Sequence, residues 1–189
     1  AKKNIAAARA TSDEMLLAAI AKGGRHAMHV LYSRHNVRVY RFVLRIVRDT
    51  TMAEDLVSQV FLDVWRTARQ FQGRSQVSTW LFSIAHNRAI SALRKRREEG
   101  WDEDKAAAIA DDADDPEVIA QKADKGALMR RCLDSLSAEH KEIIDLVYYH
   151  ELAVAEVAAV LSIPEATVKT RMFYARKKLS EILKANGID

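Results

Sequence analysis

The sequence contains little cysteine, proline or glycine: one, two and six residues, respectively, in a chain of 189. The single cysteine, Cys132, excludes an internal disulfide and fits a reducing compartment, and its simplest interpretation is a small buried apolar residue. Few prolines and glycines mean few interruptions of helices, and 49% of the residues are apolar. The composition therefore predicts an almost entirely helical, all-α protein.

Long apolar runs and motifs for catalysis are also absent from the sequence. No stretch approaches the roughly 20 apolar residues of a membrane span, and the Lys-rich residues 1–10, typical of a disordered or tag-derived start, lack the apolar core of a signal peptide. No phosphate-binding glycine loop, HExxH motif or nucleophile–base motif is present, which argues against an enzyme, and we expect no cofactor. His26 and His29 have the spacing of half a metal site but no third ligand nearby, so we expect no metal.

The net charge of +4 conceals an uneven distribution along the chain. Residues 1–97 carry 18 Lys and Arg against 6 Asp and Glu, a net charge of +12. Residues 98–117 carry 1 Lys against 10 acids, a net charge of −9, and residues 118–189 carry +1, with six bases between Lys169 and Lys184. Two basic regions separated by an acidic segment predict two polyanion-binding modules on a tether. The alternative is that the basic residues only form solvated helix faces. This alternative is weakened because the basic residues cluster on predicted helices, opposite their apolar stripes.

Two amphipathic helical patterns flank a short polar hinge at residues 70–78. Apolar residues recur every three or four positions in the first pattern, which we assign to a helix over 53–71. Its stripe consists of Ala53, Leu56, Val57, Val60, Phe61, Val64, Trp65 and Ala68. The stripe of the second consists of Val77, Leu81, Ala85, Ala89 and Leu93, widened by Trp80 and Ile84. The outer face of the second helix carries Ser83, Asn87, Ser91, Arg94 and Lys95, which suits a nucleic-acid strand.

Three shorter helices are predicted before this stretch. Thr11 and Glu14 have the spacing of a capping box and start a helix that ends at the glycine pair 23–24. A second helix is predicted from about Arg25 and a third from about Val37. The buried stripe of the third is predicted to contain Tyr40, Val43, Leu44 and Val47.

A helix-turn-helix pattern closes the chain. Ser137 can cap a preceding helix whose predicted buried face includes Ile143, Ile144, Val147 and Tyr148. Residues 162–164 form the predicted turn, because Pro164 is suited to a helix start. The last helix then turns Lys169, Thr170, Phe173, Tyr174 and Lys177 outward. Two aromatic residues among cations on one exposed face fit a recognition helix in the major groove of DNA.

Three segments together resemble regions 2 and 4 of bacterial RNA polymerase sigma factors of the sigma-70 family, in the extracytoplasmic-function (ECF) group. They are AEDLVSQVFLDVW, FQGRSQVSTWLFSIAHNRAISALRKRR and VAEVAAVLSIPEATVKTRMFYARKKL. The resemblance implies two small helical domains, a region 2 domain over 1–97 and a region 4 domain over 127–189, joined by a flexible acidic linker over 98–126. Ala153, Ser162 and Ala166 depart from the family pattern, in which a capping Ser or Thr and two small glycines are usual.

The resemblance implies that the first helix of the long stretch docks on the largest subunit of core RNA polymerase. The matching contact positions are Glu54, Asp55, Ser58, Gln59 and Phe61. The alternative for the polar members is a solvated helix face, on which the acids near the N-terminus interact favourably with the helix dipole. Phe61 and Trp65 can equally be core residues.

The resemblance also implies that the hinge and the second helix bind the minus-ten promoter element. A loop with Phe71, Gly73 and Ser75 beside Asn87 can hold an unstacked base, and Trp80 is either a base contact or a core residue. Backbone phosphates are expected to bind Arg88, Arg94, Lys95, Arg96 and Arg97.

The last helix is expected to read the minus-thirty-five element in the major groove. Lys169, Thr170, Phe173, Tyr174 and Lys177 form its groove-facing side. Lys169 and Phe173 are expected at base edges, whereas Arg171 and Arg176 are expected at phosphates on the two flanks.

The sequence therefore predicts a cytoplasmic, non-catalytic transcription initiation factor that binds core RNA polymerase and promoter DNA. The resemblance adds an anti-sigma factor as a regulatory partner, of a kind often membrane-bound or zinc-containing. The alternative is a stand-alone helix-turn-helix regulator. Only the motif over 53–97 separates the two hypotheses, because other DNA-binding regulators share the C-terminal pattern.

Overall fold

The computed structural model of the chain describes residues 11–100, 132–133 and 135–185. Every regular element within these ranges is helical, which confirms the all-α prediction. The chain divides into two compact units, with the division after residue 107. Most of the predicted linker over 98–126 lies outside the described residues, so the predicted domain limits stay predictions.

The described residues of the first unit, 11–100, form four helices, and the second of these packs against the other three. They are α1 (Asp13–Ala21), α2 (Arg25–Val47), α3 (Thr50–Thr67) and α4 (Val77–Glu98), with a 3-10 turn (Ala68–Gln70) after α3. Buried side chains from all four form the core, in which the rings of Phe42 and Phe82 meet edge to face at 5.2 Å. Phe82 is fully buried, although the sequence pattern placed it outside the apolar stripe.

Helix α2 is one continuous helix, so the prediction of two helices over this stretch was wrong. No proline or glycine interrupts residues 25–47, and buried residues recur along the whole length from Ala27 and Leu31 to Val43 and Val47. The pattern was hidden by His35, a polar residue that is 8% exposed at a core position. A buried histidine needs a polar partner, and here the partner comes from α1.

Side-chain caps start α1 and α3. The Met15 amide donates to Ser12 Oγ at 3.2 Å, so the cap is Ser12 and not Thr11 as predicted. The Met52 amide donates to Asp49 Oδ1 at 2.9 Å, which starts α3 three residues earlier than the apolar pattern suggested. These bonds satisfy amides that have no partner inside their helix.

Asp13 ties the start of α1 to the middle of α2. Its carboxylate accepts a hydrogen bond from Arg34 Nη1 at 2.6 Å and pairs with His35 Nε2 at 2.6 Å. The hydrogen bond with His35 is the main cause that lowers the pKa of Asp13 below its ordinary value of 3.8. The bond with Arg34 also lowers this pKa, whereas burial of the carboxyl raises it. The ionised carboxylate therefore stabilises the folded unit.

We expect Asp13→Asn to lower the free energy of unfolding by about 1–2 kcal/mol at neutral pH, because it removes a part-buried charged acceptor. A carboxyl with a lowered folded pKa stabilises above its unfolded pKa and loses that contribution as pH falls through the folded value. The difference between wild type and variant should therefore shrink below pH 3.8. Denaturant unfolding followed by tryptophan fluorescence measures it, with exposed Glu14→Gln as control. A difference independent of pH would contradict the assignment.

Between residues 135 and 185, the second unit forms three helices and a π-helical turn. They are α5 (Ala138–Ile144), the π-turn (Asp145–Tyr149), α6 (Val154–Leu161) and α7 (Glu165–Ala185). Ser137 caps α5 as predicted, accepting from the His140 amide at 3.4 Å. The core of this unit contains Leu136, Ile143, Ile144, Leu146, Val157, Val160, Val168 and Ala175, and Cys132 is fully buried as expected.

The turn between α6 and α7 lies where the sequence predicted it. Ser162 adopts a left-handed conformation with φ of 54°, so it fills the position that usually needs glycine. At the other end of α6, Ala153 offers no side-chain cap, but its amide donates to Glu156 Oε2 at 2.9 Å. This bond is half of a capping box and offsets part of the missing cap.

Candidate nucleic-acid and protein interfaces

The outer face of α3 presents a polar strip to solvent. Glu54, Asp55, Ser58 and Gln59 are all exposed, as the sequence predicted. Their spacing of three and four residues places them on one side of the helix, opposite the buried Val57 and Val60. Within the described residues, these side chains make a single hydrogen bond, a local one from the Ser58 hydroxyl to the Glu54 carbonyl at 3.1 Å.

Phe61 is a core residue and not part of this surface. Its side chain is 4% exposed, and its ring meets Tyr32 of α2 edge to face at 4.8 Å. Phe61 lies beside Val60 on the buried face of α3, and this face packs on α2. Of the two alternatives for Phe61, the structure selects the core.

Two apolar residues, Leu62 and Trp65, extend the exposed strip. Leu62 is 45% exposed and Trp65 is 36% exposed, although Trp65 was counted in the buried stripe. Leu62 lies one turn beyond Ser58 and Gln59, and Trp65 lies one turn beyond Leu62. We define the α3 strip as Glu54, Asp55, Ser58, Gln59, Leu62 and Trp65. Exposed apolar residues continuous with polar ones are typical of a surface that binds another protein.

The hinge after α3 forms a loop closed by two aromatic rings. Phe71 and Trp80 are both half-buried, and their ring centroids are 5.3 Å apart at an angle of 53°. Gly73 has φ of 67°, which side-chain-bearing residues rarely adopt, and nothing lies within 4 Å of where its Cβ would be. Ser75 is half-buried in the same loop. Trp80 thus lies at the base of the loop and not in the core.

One side of α4 carries the other predicted nucleic-acid contacts. Trp80, Asn87 and Arg94 follow one another at intervals of seven residues, which is about two helical turns. Asn87, Arg94 and Lys95 are exposed, and Lys95 makes only an exposed ion pair with Glu99 at 3.7 Å. The aromatic loop, the Asn87 amide and the cations therefore share one surface of the first unit.

Arg88 is bound to α3, so the phosphate contact expected of it would have to compete with an ion pair. Its Nε and Nη2 donate to the two carboxylate oxygens of Asp63 at 2.6 and 2.7 Å. The bond with Asp63 raises the pKa of Arg88 above its ordinary value. Arg96 is also engaged, 3.4 Å from Asp49 at the start of α3. Two arginines of α4 therefore bind α3, because each faces an acid that lies far away in the sequence.

The outer face of α7 carries the predicted recognition residues. Phe173 and Tyr174 are 63% and 53% exposed, and their rings meet edge to face at 5.4 Å. Lys169, Thr170 and Lys177 are exposed beside them. Val168 and Ala175 are fully buried on the opposite side, so the division of α7 into core and outer faces is confirmed. Exposed aromatic rings can contact base edges of nucleic acid, and the cations beside them can bind its phosphates.

The two flanking arginines of α7 have different partners, which the sequence did not distinguish. Arg171 Nη2 lies 3.0 Å from Glu139 Oε1 of α5, in an ion pair that neutralises its charge. Arg176 Nε donates to the Tyr148 hydroxyl at 2.7 Å, and its guanidinium carbon lies 5.7 Å from the centroid of the Tyr148 ring. The expectation that both bind phosphates therefore does not fit Arg171.

The described residues offer neither a metal site nor a membrane-spanning helix. His26 and His29 are exposed, and no three His, Cys, Asp or Glu side chains of the described residues gather to hold a metal ion. Within the described ranges, no helix is both long and apolar enough to cross a lipid bilayer.

Comparisons with known proteins match both parts of the chain to one family. The family profile described as Sigma-70 region 2 matches residues 31–99, and the one described as Sigma-70, region 4 matches residues 132–181. The ECF RNA polymerase sigma factor SigK of Mycobacterium ulcerans (strain Agy99) is 35% identical over 182 residues, which cover 93% of this chain and 96% of that protein. SigK of Mycolicibacterium vanbaalenii is 32% identical over 162 residues, covering 84% and 83%.

Two solved structures share the fold over most of their length. CnrH, solved in complex with the cytosolic domain of CnrY, is 25% identical with a TM-score of 0.67, covering 93% of this chain and 99% of that one. The sigma factor RpoE of Bartonella quintana, solved with the anti-sigma factor NepR, is 26% identical with a TM-score of 0.62, covering 81% and 94%. From the matched regions and these relatives, the chain belongs to the ECF RNA polymerase sigma factors of the sigma-70 family.

Proposed function

We propose that this chain directs core RNA polymerase to promoters, docking on the enzyme with the α3 strip and binding DNA with both units. The α3 strip is the observation that carries the proposal. A regulator that acted on DNA alone would need only the outer face of α7. The first unit instead exposes carboxylates, an amide and two apolar side chains on one helix face, which suits a protein partner.

Charge separates the protein-binding surface from the DNA-binding one. Residues 1–97 carry a net charge of +12, yet Glu54 and Asp55 are exposed and form no ion pair with a described basic residue. Carboxylates repel the phosphates of DNA, whereas they attract a basic surface of a protein. The cations Arg94 and Lys95 lie on α4 instead. The two helices therefore divide the work: α3 for the polymerase and the outer side of α4 for DNA.

In the minus-ten region, the proposed binding site consists of the loop over 71–75 and Asn87. Opening a promoter exposes unstacked bases, and stacking on an aromatic ring contributes about 1–3 kcal/mol per base. The Phe71 and Trp80 rings at the loop offer such a surface, and the Asn87 amide can donate and accept hydrogen bonds at a base edge. Arg94 and Lys95 then bind the backbone phosphates.

In the minus-thirty-five region, the proposed contacts are those of the outer face of α7. Lys169 and Phe173 lie about one turn apart and reach the base edges, with Thr170, Tyr174 and Lys177 beside them. This helix follows the turn of a helix-turn-helix, whose second helix enters the major groove. Base recognition by this unit and strand capture by the first unit together define a promoter.

The chain contributes binding and no chemistry in this proposal, and it needs no cofactor. Bond formation belongs to the polymerase, and the chain acts in the cytoplasm where promoter DNA and polymerase are found. The functional domains are proposed as 1–97 and 127–189, with 98–126 as the acidic linker between them.

We expect alanine at both Asp55 and Gln59 to weaken binding to core polymerase about five- to tenfold, because both side chains are exposed at the centre of the α3 strip. Helix content and unfolding should not change, since neither side chain packs on the core. A titration of labelled chain with core polymerase measures the affinity. The matched control is Glu14→Ala with Gln72→Ala, which removes one exposed acid and one exposed amide outside the strip. Equal affinities for the two double variants would overturn docking and favour the stand-alone regulator.

We also propose that an anti-sigma protein holds the chain inactive. The sigma factor RpoE of Bartonella quintana was solved with such a partner, and 94% of that sigma factor is covered by the fold match to this chain. The α3 strip and the outer face of α7 are surfaces that a partner can cover. Native purification of the tagged chain from unstressed cells should recover a third protein besides polymerase. Recovery of only free chain and polymerase would contradict this regulation.

A further inference from the structure

We propose that Tyr148 is a positioning residue that holds Arg176 ready to bind a DNA phosphate beside the recognition helix. The inference rests on the proposed function, because it assumes that the outer face of α7 meets DNA. It adds a residue from outside the helix-turn-helix to the DNA-binding apparatus. It also distinguishes between the two arginines that flank α7.

Arg176 is held by groups that leave its charge intact. Its Nε donates to the Tyr148 hydroxyl at 2.7 Å, its Nη2 lies 3.7 Å from Met172 Sδ, and its guanidinium stacks over the Tyr148 ring at 5.7 Å. None of these three partners is an acid. A hydroxyl, a thioether and a ring face orient the guanidinium without neutralising it, so the full positive charge remains for a phosphate.

Arg171, on the opposite flank, is the internal contrast. Its guanidinium lies 3.0 Å from the Glu139 carboxylate, and its side chain is 25% exposed. Binding a phosphate there would require breaking the ion pair and leaving Glu139 close to the DNA backbone. The two arginines have the same charge and lie on the same helix, yet only Arg176 presents a net positive charge.

The π-turn is what brings Tyr148 to Arg176. Its widened bond runs from the His150 amide to the Asp145 carbonyl at 3.1 Å, five residues apart. The sequence pattern placed Tyr148 on the buried face, in register with Ile144. The extra residue in the turn shifts that register, and Tyr148 is 52% exposed and reaches α7. Turns of this kind occur frequently at functional sites.

Two buried polar residues bracket this turn. Asp145 and His150 are 5% and 4% exposed, and His150 Nε2 lies 3.4 Å from Asp145 Oδ2. Tyr148 therefore projects from a turn whose two ends are joined inside the core. A guanidinium oriented in advance loses less rotational freedom on binding, which strengthens its hydrogen bonds to a phosphate.

The test compares promoter binding by holoenzyme, full chain with core polymerase, at several salt concentrations. Arg176→Ala should lower affinity and reduce the slope of log affinity against log salt by about one phosphate contact. Tyr148→Phe keeps the ring and loses the hydroxyl, so it should lower affinity about three- to tenfold. In the Arg176→Ala background, Tyr148→Phe should have no further effect, because the group it positions is gone.

Matched controls separate positioning from folding. Tyr149→Phe removes a neighbouring exposed hydroxyl and Arg171→Ala removes the paired arginine, and both should leave the salt slope unchanged. Tyr148→Phe should leave thermal unfolding unchanged as well, because its hydroxyl is at the surface. If Tyr148 had a purely structural role, Tyr148→Phe would lower the stability of the chain and would still weaken promoter binding in the Arg176→Ala background. That result would overturn the inference.

The outcomes distinguish this inference from the function on which it rests. If wild-type holoenzyme binds the promoter and Arg176→Ala leaves the slope unchanged, the inference alone is overturned. If wild-type chain gives core polymerase no promoter binding at all, the proposed function fails and this inference fails with it.

Discussion

Lys169→Ala and Phe173→Ala should each change which minus-thirty-five sequences the holoenzyme prefers. Both side chains are exposed on the outer face of α7, and Phe173 is 63% exposed there. A lysine can donate to guanine acceptors and a phenylalanine ring can pack on thymine methyl groups, and such contacts contribute about 1–3 kcal/mol of discrimination. At one position, the ratio of affinities for the preferred base and the other bases should therefore fall roughly 5- to 150-fold.

The measurement is holoenzyme affinity for a panel of promoters that differ by single bases in the minus-thirty-five element. Lys184→Ala is the charge-matched control, because Lys184 is exposed near the end of the same helix but far from the proposed groove contacts. It should weaken all promoters alike or none. A base preference that survives both substitutions would place sequence reading on another surface.

Asn87→Ala should reduce open-complex formation far more than it reduces binding to closed duplex. The amide lies on the same side of α4 as Trp80 and the loop with Phe71, where an unstacked base would be held. Loss of hydrogen bonds to a base should slow opening by roughly 5- to 150-fold, the equivalent of about 1–3 kcal/mol. Duplex binding depends mainly on phosphates and should change little.

A promoter with a mismatched minus-ten region separates capture of the base from binding to the duplex. On both the mismatched and the duplex promoter, open complexes are counted by permanganate reactivity of unpaired thymines. The permanganate reactivity at the captured base should differ between wild type and Asn87→Ala on both templates. Asn36→Ala, which removes an amide of α2, is the control. If Asn87→Ala lost equal affinity for closed duplex and melted DNA, Asn87 would be a phosphate contact or a structural residue.

Local periodicity predicted the surfaces, whereas long-range pairing decided the roles of individual residues. The exposed polar residues of α3 and the division of α7 follow from apolar spacing, because one buried stripe determines the opposite face. Arg88 and Arg171 look like free cations in the sequence. Their acids, Asp63 and Glu139, lie 25 and 32 positions away in the chain, and only the packing of helices brings each pair together.

Two features of the backbone also lay beyond the sequence pattern. The continuity of α2 depends on His35, whose burial is possible because the Asp13 carboxylate of another helix pairs with its ring at 2.6 Å. The π-turn depends on a bond across five residues, and an α-helical period of 3.6 places Tyr148 inside the core instead of at the surface. Both departures involve polar residues at core positions, where periodicity alone misleads.

Run-off transcription with purified core polymerase tests the central claim most directly. Core polymerase alone, core with wild-type chain, and core with the chain carrying alanine at Asp55 and Gln59 are compared on a randomised promoter library. We predict that wild-type chain yields transcripts from one shared pair of promoter elements, and that the double variant needs a higher concentration to yield the same set. Transcripts with no shared elements, or an identical set from core polymerase alone, would contradict the account.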